Sequence, residues 1–216
     1  MRSISKGREP ESLTKHRKKA HSTYENYGEK QELRNALVTE QRGLCCYCLG
    51  RVRPYAASMK IEHWRCQSMF PEQQLSYGNL LAACHGSEGE PRRLQHCDTK
   101  KGDQYLDWNP ADPEHHIETR IGYRVDGTIY SDEEQFNTQL REVLNLNLNT
   151  LKAHRKRVLD SMLDWWKVEK ARIRGRVPAE RLRQKRTEQV GQTGELAPYS
   201  QVAAWWLDQK LARMVG

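Results

Sequence analysis

A carboxylate and an imidazole stand side by side at Glu62 and His63, in the stretch "SMKIEHWRC". The stretch is predicted to be a short β-strand, and neighbouring side chains on a strand point to opposite faces. One of the two could therefore reach a metal ion while the other reaches a substrate. Asn79 in "YGNLL" and Asp98 in "HCDTKKGD" follow along the chain. An imidazole, two carboxylates and an amide are together the components of a hydrolytic site.

The cysteines form a second set of residues that could do chemistry. Cys45 and Cys48 in "GLCCYC" have the C-x-x-C spacing with which a tight knuckle presents two thiolates to one tetrahedral ion. Cys84 and Cys97 complete a quartet if the chain between them loops out and returns. Because a reducing cytoplasm disfavours disulfides, the cysteines predict a structural zinc site.

Residues near this quartet leave the ligand set open. His85 and His96 each adjoin one cysteine of the second pair, and they are alternative ligands. The remaining two cysteines, Cys46 and Cys66, are interpreted as bystanders, because a lone buried Cys usually behaves as a small apolar residue.

Taken together, these motifs resemble a known family of nucleases. The pattern C-x-x-C, EH, N-L-L-x-x-C and C-D-x-K-K-G is similar to the ββα-metal motif of HNH nucleases. In that motif two short strands and a helix enclose one catalytic divalent ion, often beside a structural zinc. The fuller set "RSISKGREPESL", "GLCCYC", "KIEHW", "YGNLLAACHGSEG", "LQHCDTKKGD" and "VLNLN" resembles the HNH nuclease subunit of Septu-type anti-phage defence systems, a type that also accompanies some retrons. The resemblance ends near residue 155, and the helical C-terminus matches only loosely.

The resemblance implies a role for each matching position. His63 matches the general base that activates water, and Asn79 matches the amide that orients the His-bearing loop. Glu62 and Asp98 match the ligands of a catalytic Mg²⁺ or Mn²⁺ ion. The four cysteines of the quartet match the structural zinc ligands.

The implied reaction is phosphodiester hydrolysis of nucleic acid, with DNA favoured and RNA, including tRNA, left open. The implied partners are an SMC/ABC-type ATPase subunit and, in the retron-associated type, the reverse transcriptase and its msDNA. The sequence contains no Walker motif, so ATP use belongs to a partner. The alternative function is a non-catalytic zinc-knuckle protein that binds nucleic acid or acts as a scaffold. Such a protein would not need the four polar residues together.

The net charge of +8 is unevenly distributed along the chain. Residues 1–20 carry seven Lys and Arg against two Asp and Glu, and residues 141–216 carry sixteen against eight. Residues 45–140, which hold the cysteines, carry ten against fourteen. Basic flanks of this kind suit a polyanionic partner, most simply nucleic acid. The residues predicted to contact the phosphates are Lys100, Lys101, Arg155, Lys156 and Arg157.

The densest basic segment spans residues 152–186, with thirteen Lys and Arg against four Asp and Glu. It is expected to form one long helix and its continuation. Its arginines include Arg172, Arg174 and Arg176, and the guanidinium group suits phosphate geometry. The rival interpretation is that this segment docks an acidic face of the ATPase.

The predicted fold class is α+β: a small ββα-metal (HNH) core with structural zinc, flanked by α-helices and a helical C-terminal region. The predicted parts are a basic N-terminal arm that could dock a partner (1–20), the nuclease domain with its zinc site (21–140) and the helical region (141–216). No apolar run approaches the roughly 18 residues of a membrane span, and the N-terminus lacks an apolar signal segment. A cytoplasmic location is therefore expected.

Local patterns predict the individual elements. Residues 29–43 are expected to form an amphipathic helix that stops at a glycine, and a second helix is expected to start near Asn79. The alternation in "IGYRVDGTIYS" around Asp-Gly predicts a β-hairpin. Later segments have helical periodicity, with Asn149 at the start of one helix. The tryptophans at 165–166 and 205–206 are expected in the core or at a partner surface.

Overall fold

The computed structural model describes residues 1–173, 176–191 and 193–215 as an α+β fold, so Arg174 lies outside the described residues. The helices are α1 (Glu11–Arg17), α2 (Lys30–Glu40), α3 (Cys97–Lys101), α4 (Glu134–Thr138), α5 (Asn149–Ile173), α6 (Ala179–Val190) and α7 (Ser200–Val215). The strands are β1 (Lys60–His63), β2 (Leu80–Ala83), β3 (Gly122–Tyr123) and β4 (Ile129–Tyr130). β1 pairs with β2 and β3 pairs with β4, both antiparallel. None of these helices has both the length and the apolar character needed to cross a bilayer.

The β1–β2 hairpin carries the candidate catalytic residues. β1 forms where the sequence predicts a strand, and its register places Glu62 opposite Leu81 and His63 opposite Leu80. The helix expected near Asn79 is wrong, because that residue ends a short 3₁₀ turn and the next four residues form β2. All four residues of β2 are buried. An apolar run buried on both faces lacks alternation, so periodicity alone does not distinguish it from a buried helix.

The helix before the knuckle forms as predicted. α2 buries Leu33, Leu37 and Val38 on one face. Gly43 follows the helix with a φ of +76°, a conformation that glycine adopts without steric cost. The chain then turns through the knuckle, where the Cys45 N–H donates to the Gly50 carbonyl at 2.8 Å.

The N-terminal segment is not a separate arm. Met1, Ile4 and Leu13 are buried in the core, and the Ile4 N–H donates to the carbonyl of Pro110 at 2.8 Å. The Lys6 ammonium donates to the Leu80 carbonyl of β2 at 2.9 Å. Basic composition suggested an extended segment, but a few apolar side chains spaced along it are enough to fix it to the body.

The β3–β4 hairpin forms around Asp-Gly as predicted. Gly127 in its turn has a φ of +84°, and a Cβ at this position would lie 2.1 Å from the Lys152 carbonyl oxygen. Only glycine therefore lets the hairpin approach α5 this closely. Phe136 on α4 and Leu140 on the following π-helical turn are buried in the same core.

The C-terminal helices pack on the body through their tryptophans. Trp206 on α7 is buried, and its ring meets Trp166 of α5 edge-on at a centroid distance of 6.2 Å. Trp205 meets Tyr123 of β3 in the same way at 5.4 Å. Trp206 therefore belongs to the core, and Trp165, Trp166 and Trp205 pack against it half-buried, which was one of the two expectations. α6 begins after Pro178 and lies where a continuation of the long helix was expected, although it extends four residues beyond residue 186.

The segment between α6 and α7 is fastened to the knuckle. The Arg42 guanidinium donates to four backbone carbonyls within residues 190–194. The Tyr199 N–H donates to the Leu49 carbonyl at 3.0 Å. The helical C-terminal region and the knuckle are thus joined by several hydrogen bonds rather than by packing alone.

Candidate metal centre and catalytic site

The four cysteines of the predicted quartet lie together, with Sγ atoms all within 4.8 Å of one another. The Sγ atoms of Cys45 and Cys97 are 3.9 Å apart, and those of Cys48 and Cys84 are 3.8 Å apart. Four sulfurs at the usual Zn–S bond length around a tetrahedral ion would be separated by about 3.8 Å. The quartet therefore has the size of a four-coordinate site, and its sulfurs are too far apart for disulfide bonds.

The loop between Cys84 and Cys97 does fold out and return. It closes where the His96 N–H donates to the Gly86 carbonyl at 2.9 Å. Gly86 has a φ of +55°, and a Cβ there would lie 1.9 Å from the His96 carbonyl oxygen. The Cys97 N–H donates to the Leu144 carbonyl at 3.0 Å, which fixes the start of α3 from the "VLNLN" segment. These contacts bring the second pair of cysteines to the knuckle.

The two alternative histidine ligands lie outside the quartet. The Nε2 atom of His85 is 2.9 Å from the Ala56 carbonyl oxygen, so its ring is turned away. The Nδ1 atom of His96 is 3.1 Å from the Cys97 Sγ, a distance suited to donating a hydrogen bond to a ligand sulfur. Cys46 and Cys66 are buried and take no part in the quartet.

Glu62 is buried on β1 with only 2% of its surface exposed. Its Oε1 atom accepts one hydrogen bond, from the Tyr47 hydroxyl at 2.7 Å. The same atom forms an ion pair with the Lys101 ammonium at 2.9 Å. Burial, and then the neighbouring Asp98 carboxylate, raise the pKa of Glu62 well above its usual range. The two carboxylates are therefore close enough to compete for a proton.

His63 is oriented by a single backbone contact. Its Nε2 atom lies 3.0 Å from the carbonyl oxygen of Gln74. Because a carbonyl only accepts, Nε2 must carry the proton, and Nδ1 is left as the acceptor. The Tyr24 ring meets the imidazole edge-on at 4.5 Å. Burial lowers the pKa of His63 to about 4, so the ring is neutral at neutral pH.

Asn79 ties together the two segments that flank the site. Its Oδ1 accepts from the Arg65 N–H at 2.7 Å, and its Nδ2 donates to the Arg65 and Gln73 carbonyls at 3.0 and 3.2 Å. Its own carbonyl accepts from the Trp64 N–H at 3.0 Å. The amide thus holds the turn that follows His63.

Asp98 lies on α3, and its carboxylate interacts electrostatically with Lys60, Glu62 and His63 of β1. Its Oδ2 atom is 3.8 Å from the Lys60 ammonium. Its charge raises the pKa of Glu62 and also opposes the lowering of the His63 pKa by burial. The four polar residues that the sequence analysis grouped are therefore gathered around β1, β2 and α3.

Two of the predicted phosphate contacts need correction. Lys101 is 1% exposed, and its ammonium donates inward to the His63 carbonyl as well as pairing with Glu62. Arg155 is also 1% exposed, and it donates to the Gly127 and Leu146 carbonyls at 2.6 Å each. Neither side chain is available to a phosphate. Lys100, Lys156 and Arg157 are at least partly exposed, and their predicted role stands as a prediction.

Sequence reasoning missed two residues that shape the site, Tyr47 and Tyr24, and gave a third, Lys101, a different role. Tyr47 and Lys101 hold Glu62, and Tyr24 covers the imidazole of His63. Tyr47 could have been found, because it stands between the knuckle cysteines and must face the same interior. Tyr24 lies in a polar stretch without periodicity, so no local signal marks it.

No protein-family model matches the chain, and a search of curated proteins gives no significant match. The functional assignment therefore depends on the side chains of this chain and on their geometry.

Proposed function

We propose that the chain is a metal-dependent HNH-type endonuclease that hydrolyses phosphodiester bonds of nucleic acid. The observation that carries the proposal is the state of His63. Its imidazole is neutral, its Nε2–H is bound to the Gln74 carbonyl, and its Nδ1 is left to accept a proton within the electrostatic influence of the Asp98 carboxylate. This is the arrangement that a general base needs.

The order of the elements supports the same reading. β1 contributes Glu62 and His63, the turn before β2 contributes Asn79, and α3 contributes Asp98. Two strands and a helix in this sequence order, with acidic and imidazole groups between them, match what the resemblance to HNH nucleases implies.

The proposed step moves a proton from water to the Nδ1 of His63 as the water oxygen bonds to phosphorus and the P–O bond to the leaving sugar oxygen breaks; that oxygen takes up a proton from solvent. The Gln74 carbonyl then stabilises the imidazolium through Nε2–H. Because the pKa of the buried imidazole is about 4, the imidazolium readily gives up its proton afterwards. A positioned base contributes about 10²–10⁴-fold, so most of the acceleration must come from positioning and charge stabilisation.

Glu62 and Asp98 would hold the catalytic Mg²⁺ or Mn²⁺ ion. Their carboxylates repel one another in a buried site, and hard divalent cations prefer such oxygen pairs. The Tyr47 hydroxyl and the Lys101 ammonium both contact Oε1 of Glu62, which leaves Oε2 without either of these two partners. The ion would supply neutralisation of charge on the phosphate and on the leaving oxygen.

The quartet of cysteines would hold a structural zinc ion. The elements around it are short: β2 has four residues and α3 has five. Elements of this size make a weak core, and structural zinc contributes on the order of 10–16 kcal/mol of folding free energy in small modules. The zinc would hold the knuckle, β2 and α3 together. β1 pairs with β2 and would carry Glu62 and His63 at a fixed position beside them.

The wider role follows from the resemblance alone. It implies an effector of an anti-phage defence complex in the cytoplasm, acting with an SMC/ABC-type ATPase and, in the retron-associated type, with the reverse transcriptase and msDNA. DNA is the favoured substrate, and tRNA or other RNA is the second choice.

The test is cleavage by purified protein, alone and with an ATPase partner, of single-stranded DNA, duplex DNA and tRNA with Mg²⁺ or Mn²⁺. His63→Ala should abolish cleavage and keep the zinc content, while the exposed His21→Ala should cleave like the parent. Glu62→Gln and Asp98→Asn should change the dependence on Mg²⁺ or Mn²⁺. Binding of nucleic acid with equal residual cleavage by the parent and His63→Ala would instead favour a non-catalytic zinc-knuckle protein.

A further inference from the structure

An arginine is stacked among aromatic rings two residues after the candidate base. The Arg65 guanidinium carbon lies 4.1 Å from the ring centroid of Trp64, 4.2 Å from that of Tyr105 and 5.3 Å from that of Phe70. Its Nη2 atom also donates to the Tyr105 hydroxyl at 3.2 Å. Within the described residues Arg65 belongs to no ion pair, so its positive charge is not neutralised by a carboxylate.

The outer member of this stack faces solvent. Tyr105 is 50% exposed, although the guanidinium covers one face of its ring. The next residue, Leu106, is buried and anchors the backbone. Tyr105 is thus a ring held in a fixed orientation with its other side open.

The stack is rigidly related to the candidate base. Arg65 stands two residues after His63, and its N–H and carbonyl are both held by Asn79. The two residues after His63 form a bend, so Arg65 belongs to the same short, hydrogen-bonded segment as the candidate base. A nucleotide bound at Arg65 and Tyr105 would therefore be held by the segment that directly follows His63.

We propose that Arg65 and Tyr105 form a stacking platform for one unpaired base of the substrate, next to the cleaved phosphate. The inference rests on the proposed nuclease function and assigns its substrate class: single-stranded nucleic acid, or a strand with an unpaired nucleotide. Aromatic faces and arginine planes bind every base by stacking, and this contact requires the base to leave the duplex. Because Arg65 has no carboxylate partner within the described residues, its positive charge would also attract the phosphate next to the stacked base.

The test measures binding in the His63→Ala background, so that the strand stays intact. The probe is a single-stranded oligonucleotide with 2-aminopurine at successive positions, in deoxy and ribo forms, with the matching duplex alongside. Stacking on Tyr105 should quench the fluorescence at one position. Tyr105→Ala should remove that quenching and weaken single-strand binding about 5-fold to 100-fold, while duplex binding changes little.

Two further variants make the test specific. Tyr105→Phe keeps the ring and should bind within about 2-fold of its parent, because stacking does not need the hydroxyl. Tyr55→Ala removes a tyrosine that is 53% exposed and takes no part in this stack, so it controls for the loss of an exposed ring.

The proposal is overturned if Tyr105→Ala binds single strands as tightly as its parent, or if Tyr105→Phe is as weak as Tyr105→Ala. The nuclease activity and the stacking platform can also fail independently of one another. Cleavage that needs His63 but shows no effect of Tyr105→Ala removes the platform and keeps the nuclease. Position-specific quenching by a protein that cleaves nothing keeps the platform and removes the nuclease. Comparing deoxy and ribo strands then distinguishes DNA from RNA.

Discussion

The side chain of Asn79 satisfies both backbone polar groups of Arg65, accepting from its N–H at 2.7 Å and donating to its carbonyl at 3.0 Å. Asn79→Ala would leave these groups without partners in a partly buried turn, and we expect a loss of about 1–2 kcal/mol of unfolding free energy. Urea denaturation measures it, with the exposed Asn35→Ala as control. A loss below about 0.5 kcal/mol would mean that Asn79 does not hold the turn.

His63 should make stability depend on acid. Its pKa is about 4 in the folded chain and 6.5 as the reference value, so between these pH values the unfolded chain binds more protons. Stability from this group is therefore complete above about pH 6.5 and is lost as pH falls toward 4, by up to about 3 kcal/mol. Comparing His63→Gln with the parent from pH 7 to pH 4 isolates the effect, because the other titrating groups are shared. Parallel stability curves would contradict the assignment.

The zinc assignment has a matched pair of cysteine variants. Cys48→Ser removes a ligand of the quartet, and we expect loss of about one zinc ion per chain and a large fall in thermal stability. Cys46→Ala removes a buried thiol two residues away that lies outside the quartet. It should keep its zinc and cost about 1 kcal/mol or less. Elemental analysis and thermal unfolding measure both, and equal zinc content in the two variants would contradict the ligand set.

Adjacent lysines should respond very differently to the same substitution. Lys101→Met leaves Glu62 buried without its cation, and we expect a loss of about 3–5 kcal/mol of unfolding free energy. Lys100→Met changes a partly exposed side chain and should be nearly neutral. Chemical denaturation measures both variants. If Lys100→Met were the more damaging substitution, the inward orientation of Lys101 would be wrong.

Exposed cations at the start of α5 test the nucleic-acid surface. Lys156→Glu with Arg157→Glu should weaken binding to all sequences alike and reduce the salt slope by about one unit for each lost phosphate contact. Arg155 is left unchanged because it is buried. Retained affinity and salt slope together with lost co-purification of the ATPase would instead show that this surface docks the partner.

The sequence was informative where local chemistry dominates. The C-x-x-C knuckle, the strand around His63 and the Asp-Gly hairpin all form as predicted, because each depends on neighbouring residues. The return of Cys97 to the knuckle depends on the left-handed Gly86 and on the distant Leu144 carbonyl. Spacing alone therefore left the quartet open.

Tertiary contacts account for the errors. Lys101 and Arg155 have the composition of surface cations, yet each meets buried carbonyl or carboxylate oxygens from elsewhere in the chain. The segment of β2 was predicted as a helix because both of its faces are buried, so its sequence lacks the alternation of a half-exposed strand. The covering of His63 by Tyr24 joins two segments that share no pattern.

The hydrogen bonds from Arg42 to residues 190–194 also bear on how the protein is made. During synthesis the knuckle leaves the ribosome long before the segment that fastens it. Contacts so distant in sequence form late and slow folding. We therefore expect the contacts of Arg42 with residues 190–194 to form late in folding, well after the segment with Cys45 and Cys48 has been synthesised.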